Sequence, residues 1–581
     1  MLDSENTHDS LQSLNVSKIE WTRIGIASFP LLVVLLCSSS PAADTKDQRG
    51  RPNFIFVLGE AQGWASMSVE TDAGNLQSKS DFFETPTLER LADDGMRFAS
   101  FYAPSPRCTP SRVAYVTGKS PAQLHMTFTS NRGSPGRKVL EPIPSLEMPL
   151  KEITVAEVLK PAGYVSAHFG KWHMGRTNPS KHGFIESDGA TSNGGPDNSR
   201  NPNPKQAYAI TQRGIDFMSR QVKAGKPFYL QISHYGGRSA ADALRSTYDA
   251  VLARGGRDER RAGAAAVVLD MDTTIRMLLA KVDQLGIADN TYFIYTADHG
   301  TPGRNGPLQG GKGGLWEGGI RIPLIIRGPG IAAGICSRVR VTGVDLFPTI
   351  AELAGVSKSV SKDVEGGSLV PVLMNRGQGD VKRSREELVF HFPHYDKDSL
   401  GPASALLLGN YKLVRPYETD ARLLFDLSND IGERRNLAAA MPDKVKEFDT
   451  RLTKYLASVN AQMPTRNGNA APKDREANPP DQAQGQRGQG GRGKNGRGKG
   501  GAGVIFRLLD TDRDGQLSSK EIDNAVITLK KLDKNKDGIL SAEELRIQGD
   551  RREDDARRKG EGGNRNQSDQ DGGRRQRRPN G

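Results

Sequence analysis

Short, continuous runs of apolar residues alternate with helical patterns between Arg51 and about residue 375. The runs have the length of strands that are buried on both faces, and they occupy 54–58, 165–169, 228–233, 292–296 and 323–327. Apolar residues at helical spacing lie between them, in segments that include 86–94, 154–160 and 264–285. This alternation predicts an α/β fold, a doubly wound sheet with helices on both faces. In such a sheet, ligands bind beyond the carboxyl ends of the strands.

A smaller second region follows, in which the apolar runs are shorter and alternate with polar residues. These runs are typical of antiparallel strands, and they occupy 387–392, 405–408, 411–415 and 422–427. An amphipathic pattern at 443–458 predicts a closing helix. We therefore predict a large domain at 51–375 and a smaller α+β subdomain at 376–465.

The two ends of the 581-residue chain differ in composition from its middle. Lys18 and Arg23 precede an apolar stretch and a small-residue segment, a pattern that predicts a secretory signal peptide over residues 1–43. The protein is therefore expected to be periplasmic or secreted. Residues 466–502 are rich in Gly, Gln, Asn and Arg and lack the apolar surface that a fold must bury. We predict a disordered linker there and a disordered basic tail at 548–581.

The formal net charge of +13 comes largely from these terminal segments, because Lys and Arg outnumber Asp and Glu in both 466–500 and 546–581. Neither segment contains the aromatic residues that stack on bases, so no nucleic-acid partner is predicted. In an exported protein, a basic tail is expected to contact polyanions such as sulfated glycans or an acidic envelope surface. A tail that serves only solubility is the alternative.

Cys108 opens the run Cys108-Thr109-Pro110-Ser111-Arg112, which is followed by Thr117-Gly118-Lys119. Two other motifs follow predicted strands: 170–175 contains Lys171 and His173, and 296–300 contains Asp298 and His299. A fourth, glycine-rich segment at 310–323 contains Lys312. For Cys108 alone, a small buried apolar residue is the competing interpretation.

Together these motifs resemble those of the type I sulfatase family, which has an alkaline-phosphatase-like fold. The resemblance covers about 51–460. It implies that a formylglycine-generating enzyme oxidises Cys108 to formylglycine, whose aldehyde hydrate is the nucleophile. By the same resemblance, Lys171 and Lys312 bind the sulfate, His173 contacts the hydrate, and Arg112 holds the nucleophile end. Fixed cations suit this chemistry because negative charge must be accommodated as the sulfur–oxygen bond breaks.

The resemblance also implies a calcium site beside the nucleophile. Its ligands are expected to be Glu60, the Cys108 position, Asp298 and His299. Relatives carry two aspartates after the first strand, whereas this chain has Glu60 and Ala61. One ligand is therefore lost unless water or Gln62 replaces it. Because calcium tolerates six to eight oxygens in loose geometry, weakened binding is expected rather than none.

A second departure follows the strand at 228–233. Relatives commonly place there a histidine that protonates the leaving alkoxide, but the position in register is Arg238. An arginine remains protonated and is a poor general acid. His234 is a candidate substitute, with a structural or substrate-contacting role as the alternative, and Arg238 is a candidate clamp for an acidic sugar.

Two C-terminal loops match the EF-hand pattern, so 503–547 is predicted to be a small helical EF-hand pair. Each loop has a glycine for its sharp turn and a glutamate at its last ligand position. The calcium ligands are expected to be Asp510, Asp512, Asp514, Gln516 and Glu521 in the first loop, and Asp533, Asn535, Asp537, Ile539 and Glu544 in the second. A pair of ordinary acidic turns is the competing interpretation.

The sequence thus predicts an exported sulfuric ester hydrolase that acts on a sulfated carbohydrate through formylglycine and calcium. Two alternatives remain open at this level. One is a phosphate or phosphonate ester hydrolase of the same superfamily. The other is a non-catalytic relative that binds sulfated glycans, which the residues at Ala61 and Arg238 favour.

Overall fold

The computed structural model describes residues 50–468, except for 132, 135, 195–203, 238, 256–257 and 304, and four isolated positions between 509 and 524. Several predictions therefore lie outside the described residues. They are the signal peptide at 1–43, the linker beyond residue 468, the EF-hand ligands, the tail at 548–581, and Arg238.

The strands of the described region are short except for those at the centre of the main sheet. In chain order they are β1 Asn53–Gly59, β2 Met96–Phe98, β3 Phe101–Tyr102, β4 Val139–Leu140, β5 Val165–Gly170, β6 Glu186–Ser187, β7 Phe228–Ser233, β8 Thr291–Ala297, β9 Arg321–Ile322, β10 Leu324–Arg327, β11 Ile335–Ser337, β12 Val341–Thr342, β13 Leu388–Phe392, β14 Ala403–Leu408, β15 Tyr411–Pro416, β16 Leu423–Asp426 and β17 Thr465–Arg466.

The α-helices range from single turns to the long helix that precedes β8. They are α1 Pro86–Asp93, α2 Cys108–Thr117, α3 Pro121–Leu124, α4 Val155–Leu159, α5 Ala207–Lys223, α6 Arg245–Ala253, α7 Glu259–Gln284, α8 Glu317–Ile320, α9 Leu346–Leu353, α10 Val370–Leu373 and α11 Pro442–Ser458.

The main sheet has eight strands in the order β11-β2-β10-β8-β1-β7-β5-β6. Strands β8, β1, β7, β5 and β6 run parallel to one another, so their carboxyl ends lie along one edge. Strand β10 pairs antiparallel with both β8 and β2. The predicted doubly wound α/β fold is confirmed, with an antiparallel strand inserted beside β8.

Strand β1 shows why the sheet is covered on both faces. All seven of its residues are buried. Phe54 and Phe56 belong to the hydrophobic core that includes residues of α2, α4 and α9, whereas Ile55 and Val57 belong to the core that includes residues of α1, α5 and α7. Because successive side chains of a strand point to opposite faces, a continuous apolar run supplies both cores.

The second region forms a four-stranded antiparallel sheet in the order β13-β14-β15-β16, against which α11 packs. Each predicted strand and the predicted helix lie within two residues of the elements observed there. Thr465–Arg466 pairs antiparallel with β4, so the segment predicted as a linker from residue 466 begins inside a strand. In the part of the chain that the structure describes, no helix is long and apolar enough to cross a membrane.

Candidate active site

The candidate residues meet at the carboxyl ends of four neighbouring strands. Glu60 follows β1, Lys171 follows β5, His234 follows β7, and Asp298 and His299 follow β8. Because these strands are adjacent and parallel, the residues that follow them share one edge of the sheet. The sequence patterns thus identified residues that the fold brings together from positions more than 200 apart.

Cys108 lies at the first position of α2 and is 3 % exposed. Its Sγ atom is 3.2 Å from Nε2 of His299, 3.3 Å from Oε1 of Glu60 and 3.4 Å from Nζ of Lys312. Burial and the Glu60 carboxylate raise the pKa of the thiol, but Lys171, His299 and Lys312 outweigh them and lower that pKa well below its ordinary value. The side chain at position 108 is therefore held in an electropositive environment, which is the setting of a reactive cysteine rather than an inert one.

Arg112 lies one helical turn after Cys108 and is 1 % exposed. Its Nη2 atom lies 3.0 Å from Oδ2 of Asp298 and 2.9 Å from Oε2 of Glu60, and its Nη1 donates to the carbonyl oxygen of Lys171 at 2.6 Å. These partners offset the energetic cost of burying the guanidinium away from water. Arg112 therefore ties the first turn of α2 to the ends of three strands.

Lys171 and Lys312 approach Cys108 from different elements. Nζ of Lys171 is 3.0 Å from Oε2 of Glu60, and Nζ of Lys312 is 3.4 Å from Oε1 of the same carboxylate. Burial raises the pKa of Glu60, but Lys171, Lys312 and Arg112 lower it well below its ordinary value, so Glu60 is ionised. The cluster thus presents three cations around one carboxylate and the side chain at position 108.

His173 adopts a positive φ of 57°, which is uncommon for a residue other than glycine. Its carbonyl oxygen accepts a hydrogen bond of 2.7 Å from the hydroxyl of Thr109, directly after Cys108. Burial lowers the pKa of His173, and a hydrogen bond with Cys108 only partly opposes this shift. The unusual backbone therefore positions a neutral imidazole beside the nucleophile position.

Glu60, Cys108, Asp298 and His299 offer ligand atoms that all lie within 4.8 Å of one another. Burial and the Glu60 charge raise the pKa of Asp298, although His299 and Arg112 oppose the shift. Nδ1 of His299 lies 2.9 Å from the carbonyl oxygen of Gly300, so that Nε2 is the nitrogen that faces the cluster. Two carboxylates and one imidazole around a polar side chain fit a divalent cation.

Ala61 and Gln62 follow Glu60 at the carboxyl end of β1. The backbone N–H of Ala61 donates to Oδ1 of Asp298 at 2.9 Å. The amide oxygen of Gln62 accepts a hydrogen bond from the hydroxyl of Tyr295, so that this oxygen already has a partner. Replacement of the lost ligand by Gln62 stays a prediction.

His234 is buried, and its Nε2 lies 3.2 Å from Oγ1 of Thr274. That hydroxyl donates to the carbonyl oxygen of Met271 at 2.7 Å, so Nε2 of His234 is the donor toward Thr274. Burial and Arg112 lower the pKa of His234 to about 4. A neutral imidazole whose N–H is already engaged is poorly suited to protonate a leaving group in this arrangement.

A cleft opens beside the cluster. Its wall includes Glu60, Gln62, His234, Tyr235 and Met271, so it combines polar groups with aliphatic surface from α7. Such a cleft can hold a ligand group that has both a hydroxylated and an apolar side.

The sequence patterns missed two sets of charged residues around the site. The first is Arg107, which forms an ion pair with Asp396 from the second region. The second is a buried network in which Lys412 contacts Glu317 and Glu433. Each set joins residues that are far apart in sequence, although a lysine inside the apolar run 411–415 was an available signal.

Comparisons with known proteins identify the family of this arrangement. The family model described as sulfatase matches residues 52–356, which is more than half of the chain. The protein is a member of the sulfatase family. A second model, described as N-sulphoglucosamine sulphohydrolase, C-terminal, matches 311–462 of this sulfatase, and EF-hand models match 504–527 and 525–547. The predictions of the family, of a sulfuric ester hydrolase and of a C-terminal EF-hand pair are confirmed.

Several characterised proteins resemble the sulfatase over most of their length. It is 31% identical over 422 residues to the N-acetylgalactosamine-6-sulfatase of Canis lupus familiaris, covering 66% of this chain and 74% of the relative. It is 28% identical over 530 residues to a sulfatase of Formosa agariphila, covering 75% and 94%. The crystal structure of Ps i-CgsB in complex with k-i-k-neocarrahexaose matches with a TM-score of 0.59 at 21% identity, covering 70% of this chain and 93% of that one, and supports the fold.

Proposed function

We propose that this sulfatase is an exported enzyme that removes sulfate from a carbohydrate, with formylglycine at position 108 as the nucleophile. The observation that carries the proposal is the set of cations around Cys108, in which Lys312 contacts Sγ at 3.4 Å and both Lys171 and Lys312 contact the adjacent Glu60. A sulfate ester placed against position 108 would meet both ammonium groups.

Formylglycine, once made by a formylglycine-generating enzyme, supplies a hydrated aldehyde. One hydrate oxygen attacks the sulfur atom while the bond to the sugar oxygen breaks, and the sugar oxygen takes up a proton from water. Loss of a proton from the second hydroxyl then expels sulfate and restores the aldehyde. Lys171 and Lys312 hold the sulfate oxygens and offset the charge that develops as the bond to the sugar oxygen breaks. Arg112 fixes the first turn of α2, and thereby the direction of the side chain at 108. Neutral His173 is positioned to accept a proton from the hydrate, since its pKa is lowered by burial.

Calcium is the proposed metal, held by Glu60, Asp298, His299 and the side chain at position 108. When bound, it supplies positive charge to the sulfate oxygens. Calcium also fits the predicted ligands of the EF-hand pair, from Asp510 to Glu544, so an extracytoplasmic location rich in calcium suits both parts of the chain. Export itself rests on the signal-peptide pattern at 1–43.

A sulfated carbohydrate is the proposed substrate because the dog relative is named for N-acetylgalactosamine 6-sulfate and Ps i-CgsB was solved with an oligosaccharide. The cleft beside Glu60 has both polar and aliphatic walls, which suit the hydroxylated and the apolar side of a sugar. An envelope or glycan contact of the basic tail remains part of this proposal.

Two measurements on the full chain test the proposed chemistry. Mass spectrometry of the peptide that contains residue 108 should show formylglycine, and sulfate release from sulfated sugars should disappear in Cys108→Ala. The matched control is Cys336→Ala, since Cys336 is the other free cysteine of the described region and lies on β11.

Unchanged sulfate release in Cys108→Ala would refute the mechanism. Faster turnover of phosphate or phosphonate esters than of sulfate esters would favour the alternative activity, and binding of sulfated glycans by a matured protein without turnover would favour the non-catalytic alternative.

A further inference from the structure

Arg107 is the residue that directly precedes the nucleophile position, and it caps the start of α2. Its Nη2 donates to Oδ1 of Asp396 at 2.9 Å, and its Nε lies 2.5 Å from the other oxygen of that carboxylate. Its guanidinium carbon also lies 5.3 Å from the centre of the Phe128 ring. Arg107 is therefore fixed on two sides, by a carboxylate and by an aromatic face.

The same arginine lies beside the loop that carries Lys312. The backbone N–H of Gly313 donates to the carbonyl oxygen of Pro106 at 3.0 Å. A Cβ atom at Gly313 would lie 2.5 Å from Asp396. The lysine loop, which is the glycine-rich stretch 310–316 around Lys312, is therefore in direct contact with the segment between β13 and β14 that carries Asp396. Arg107 thus sits where α2, the lysine loop and the second region meet.

The guanidinium of Arg107 retains one free edge. Asp396 engages Nε and Nη2, and among the described residues Nη1 has no hydrogen-bond or ion-pair partner. The Arg107 side chain is 18 % exposed, whereas Asp396 is 7 % exposed, so the arginine is the member of the pair that faces solvent. A rigid guanidinium edge that is already oriented suits a planar or tetrahedral anion better than a flexible lysine does.

We propose that Arg107 is a specificity-determining residue that binds a second anionic group of the substrate, a sulfate or a carboxylate, while Lys171 and Lys312 hold the sulfate that is removed. Asp396 and Phe128 act as positioning residues for this arginine. This inference rests on the proposed function, because it assumes that the scissile sulfate is bound at position 108. It predicts a preference for sugars that carry two acidic groups.

The test compares three substrates with the full-length enzyme. They are N-acetylgalactosamine 6-sulfate, the same sugar with a second sulfate at position 4, and a disaccharide that joins the 6-sulfated sugar to a uronic acid. The second and third probes distinguish a sulfate from a carboxylate as the second anion. The wild type should show a higher kcat/KM for at least one of these two probes than for the monosulfate.

Arg107→Met should lower that ratio of kcat/KM values about tenfold or more, chiefly through KM, because one charge-assisted hydrogen bond is lost. Asp396→Asn should lower the preference less than Arg107→Met does, since the amide oxygen can still accept from the guanidinium while the charge that positions it is lost. The matched control is Arg415→Met, because Arg415 also lies over an aromatic ring, 5.3 Å from Tyr417, and pairs with an aspartate, Asp449. An equal loss of activity on all three substrates in Arg107→Met is the result expected of a purely structural arginine, and it would overturn the inference.

Binding measurements separate this inference from the proposed function. In Cys108→Ala, calorimetry should show tighter binding of the doubly anionic sugar than of the monosulfate, and the difference should vanish when Arg107→Met is added. If the wild type releases no sulfate but this Arg107-dependent difference is found, the proposed function fails and the inference stands. Turnover of sulfated sugars without a preference, or no binding of any probe, would contradict the inference.

Discussion

Nζ of Lys412, on β15, lies 3.0 Å from Oε1 of Glu317, at the start of α8, and both side chains are fully buried. The same ammonium is 2.8 Å from Oε1 of Glu433, whose other oxygen accepts the backbone N–H of Glu317 at 2.6 Å. Glu317 follows the lysine loop by only a few residues. The antiparallel region is therefore joined to the active-site loop through a buried charge network as well as through apolar packing.

Removal of the central cation should destabilise this junction strongly. Lys412→Met leaves Glu317 and Glu433 buried without their shared partner, and breaking a buried ion pair in this way typically costs about 3–5 kcal/mol. We expect a lower urea midpoint and a lower Tm, together with reduced sulfate release. Lys454→Met, at an exposed position of α11, is the control and should have little effect.

Adding Glu433→Gln to Lys412→Met removes one of the two unpaired charges and should restore part of the stability. A double variant that is no more stable than Lys412→Met would argue against a charge-based cause.

Ala61→Asp should tighten divalent-cation binding at the site. Position 61 adopts φ 54°, which aspartate tolerates, and its backbone N–H bonds to Asp298 beside the cluster. A further carboxylate should increase calcium affinity about tenfold, since affinity depends on the number of charged ligands. Calorimetry should use a background that carries Glu521→Gln and Glu544→Gln, which remove the last ligand of each EF-hand loop. Ala61→Asn is the neutral isostere, and an equal gain in that variant would show that charge is not the cause.

Gly314→Ala should impair the lysine loop for a steric reason. A Cβ atom at Gly314 would lie 2.3 Å from Oδ2 and 2.4 Å from Cγ of Asp398. Asp398 cannot move freely, because it accepts hydrogen bonds from Trp316 at 3.2 Å and from the backbone of Leu400 at 2.8 Å. We expect kcat/KM for sulfate release to fall by about tenfold or more, since small displacements of a binding group reduce rates steeply.

The control for Gly314 is Gly303→Ala, in a neighbouring loop. A Cβ atom at Gly303 would be 3.5 Å from its nearest heavy atom, which is an ordinary contact. Steady-state kinetics of both variants measure the difference. Equal activity of the two alanine variants would contradict the proposed contact with Asp398.

Buried histidines should make the protein sensitive to mild acid. Burial lowers the pKa of His391 to about 4, and its two ring nitrogens are engaged by Ser404 and by the carbonyl oxygen of Gln462. The unfolded chain takes up a proton near pH 6.5, which the folded chain resists until about pH 4, so stability is lost as the pH falls through that window. Between pH 6.5 and pH 5 the loss should be about 2 kcal/mol for this residue.

Urea unfolding at a series of pH values checks this expectation. The slope of stability against pH should become smaller in His391→Gln, whatever the effect of that substitution on stability at pH 8. An unchanged slope in the variant would assign the acid sensitivity to other groups, such as buried His168, whose pKa is lowered to about 3 by burial and by Arg112.

The sequence predicted the centre of the fold well because β1, β5, β7 and β8 are short, mainly apolar runs separated by helical patterns. It also predicted which residues follow those strands, and hence Lys171, Asp298 and His299 as neighbours of Cys108. Short strands such as β3 and β9 were not predicted. Each has only two residues, and their pairing depends on contacts between segments that are far apart in the chain.

The charged partners of the site were harder to infer than its central residues. Asp396 and Arg107 are 289 positions apart, so neither local propensity nor a motif identifies them as a pair. The tautomer of His234 also depends on the hydroxyl of Thr274, which comes from α7. The family resemblance implied that Arg238 replaces a leaving-group histidine, but it could not imply that the candidate substitute, His234, donates to Thr274.

The main sheet and the antiparallel sheet contribute different residues to the borders of the site, and this has a practical consequence for enzyme engineering. Lys171, one of the two lysines proposed to bind the sulfate, follows β5 of the main sheet, in which β1 supplies side chains to two cores at once and leaves little freedom for change. Asp396 and Asp398 lie on a segment after β13 that borders the same site from the other sheet. A mutant library confined to 393–397, which leaves Asp398 and its contact with the Lys312 loop unchanged, is therefore expected to alter substrate preference without changing the residues that follow the main-sheet strands.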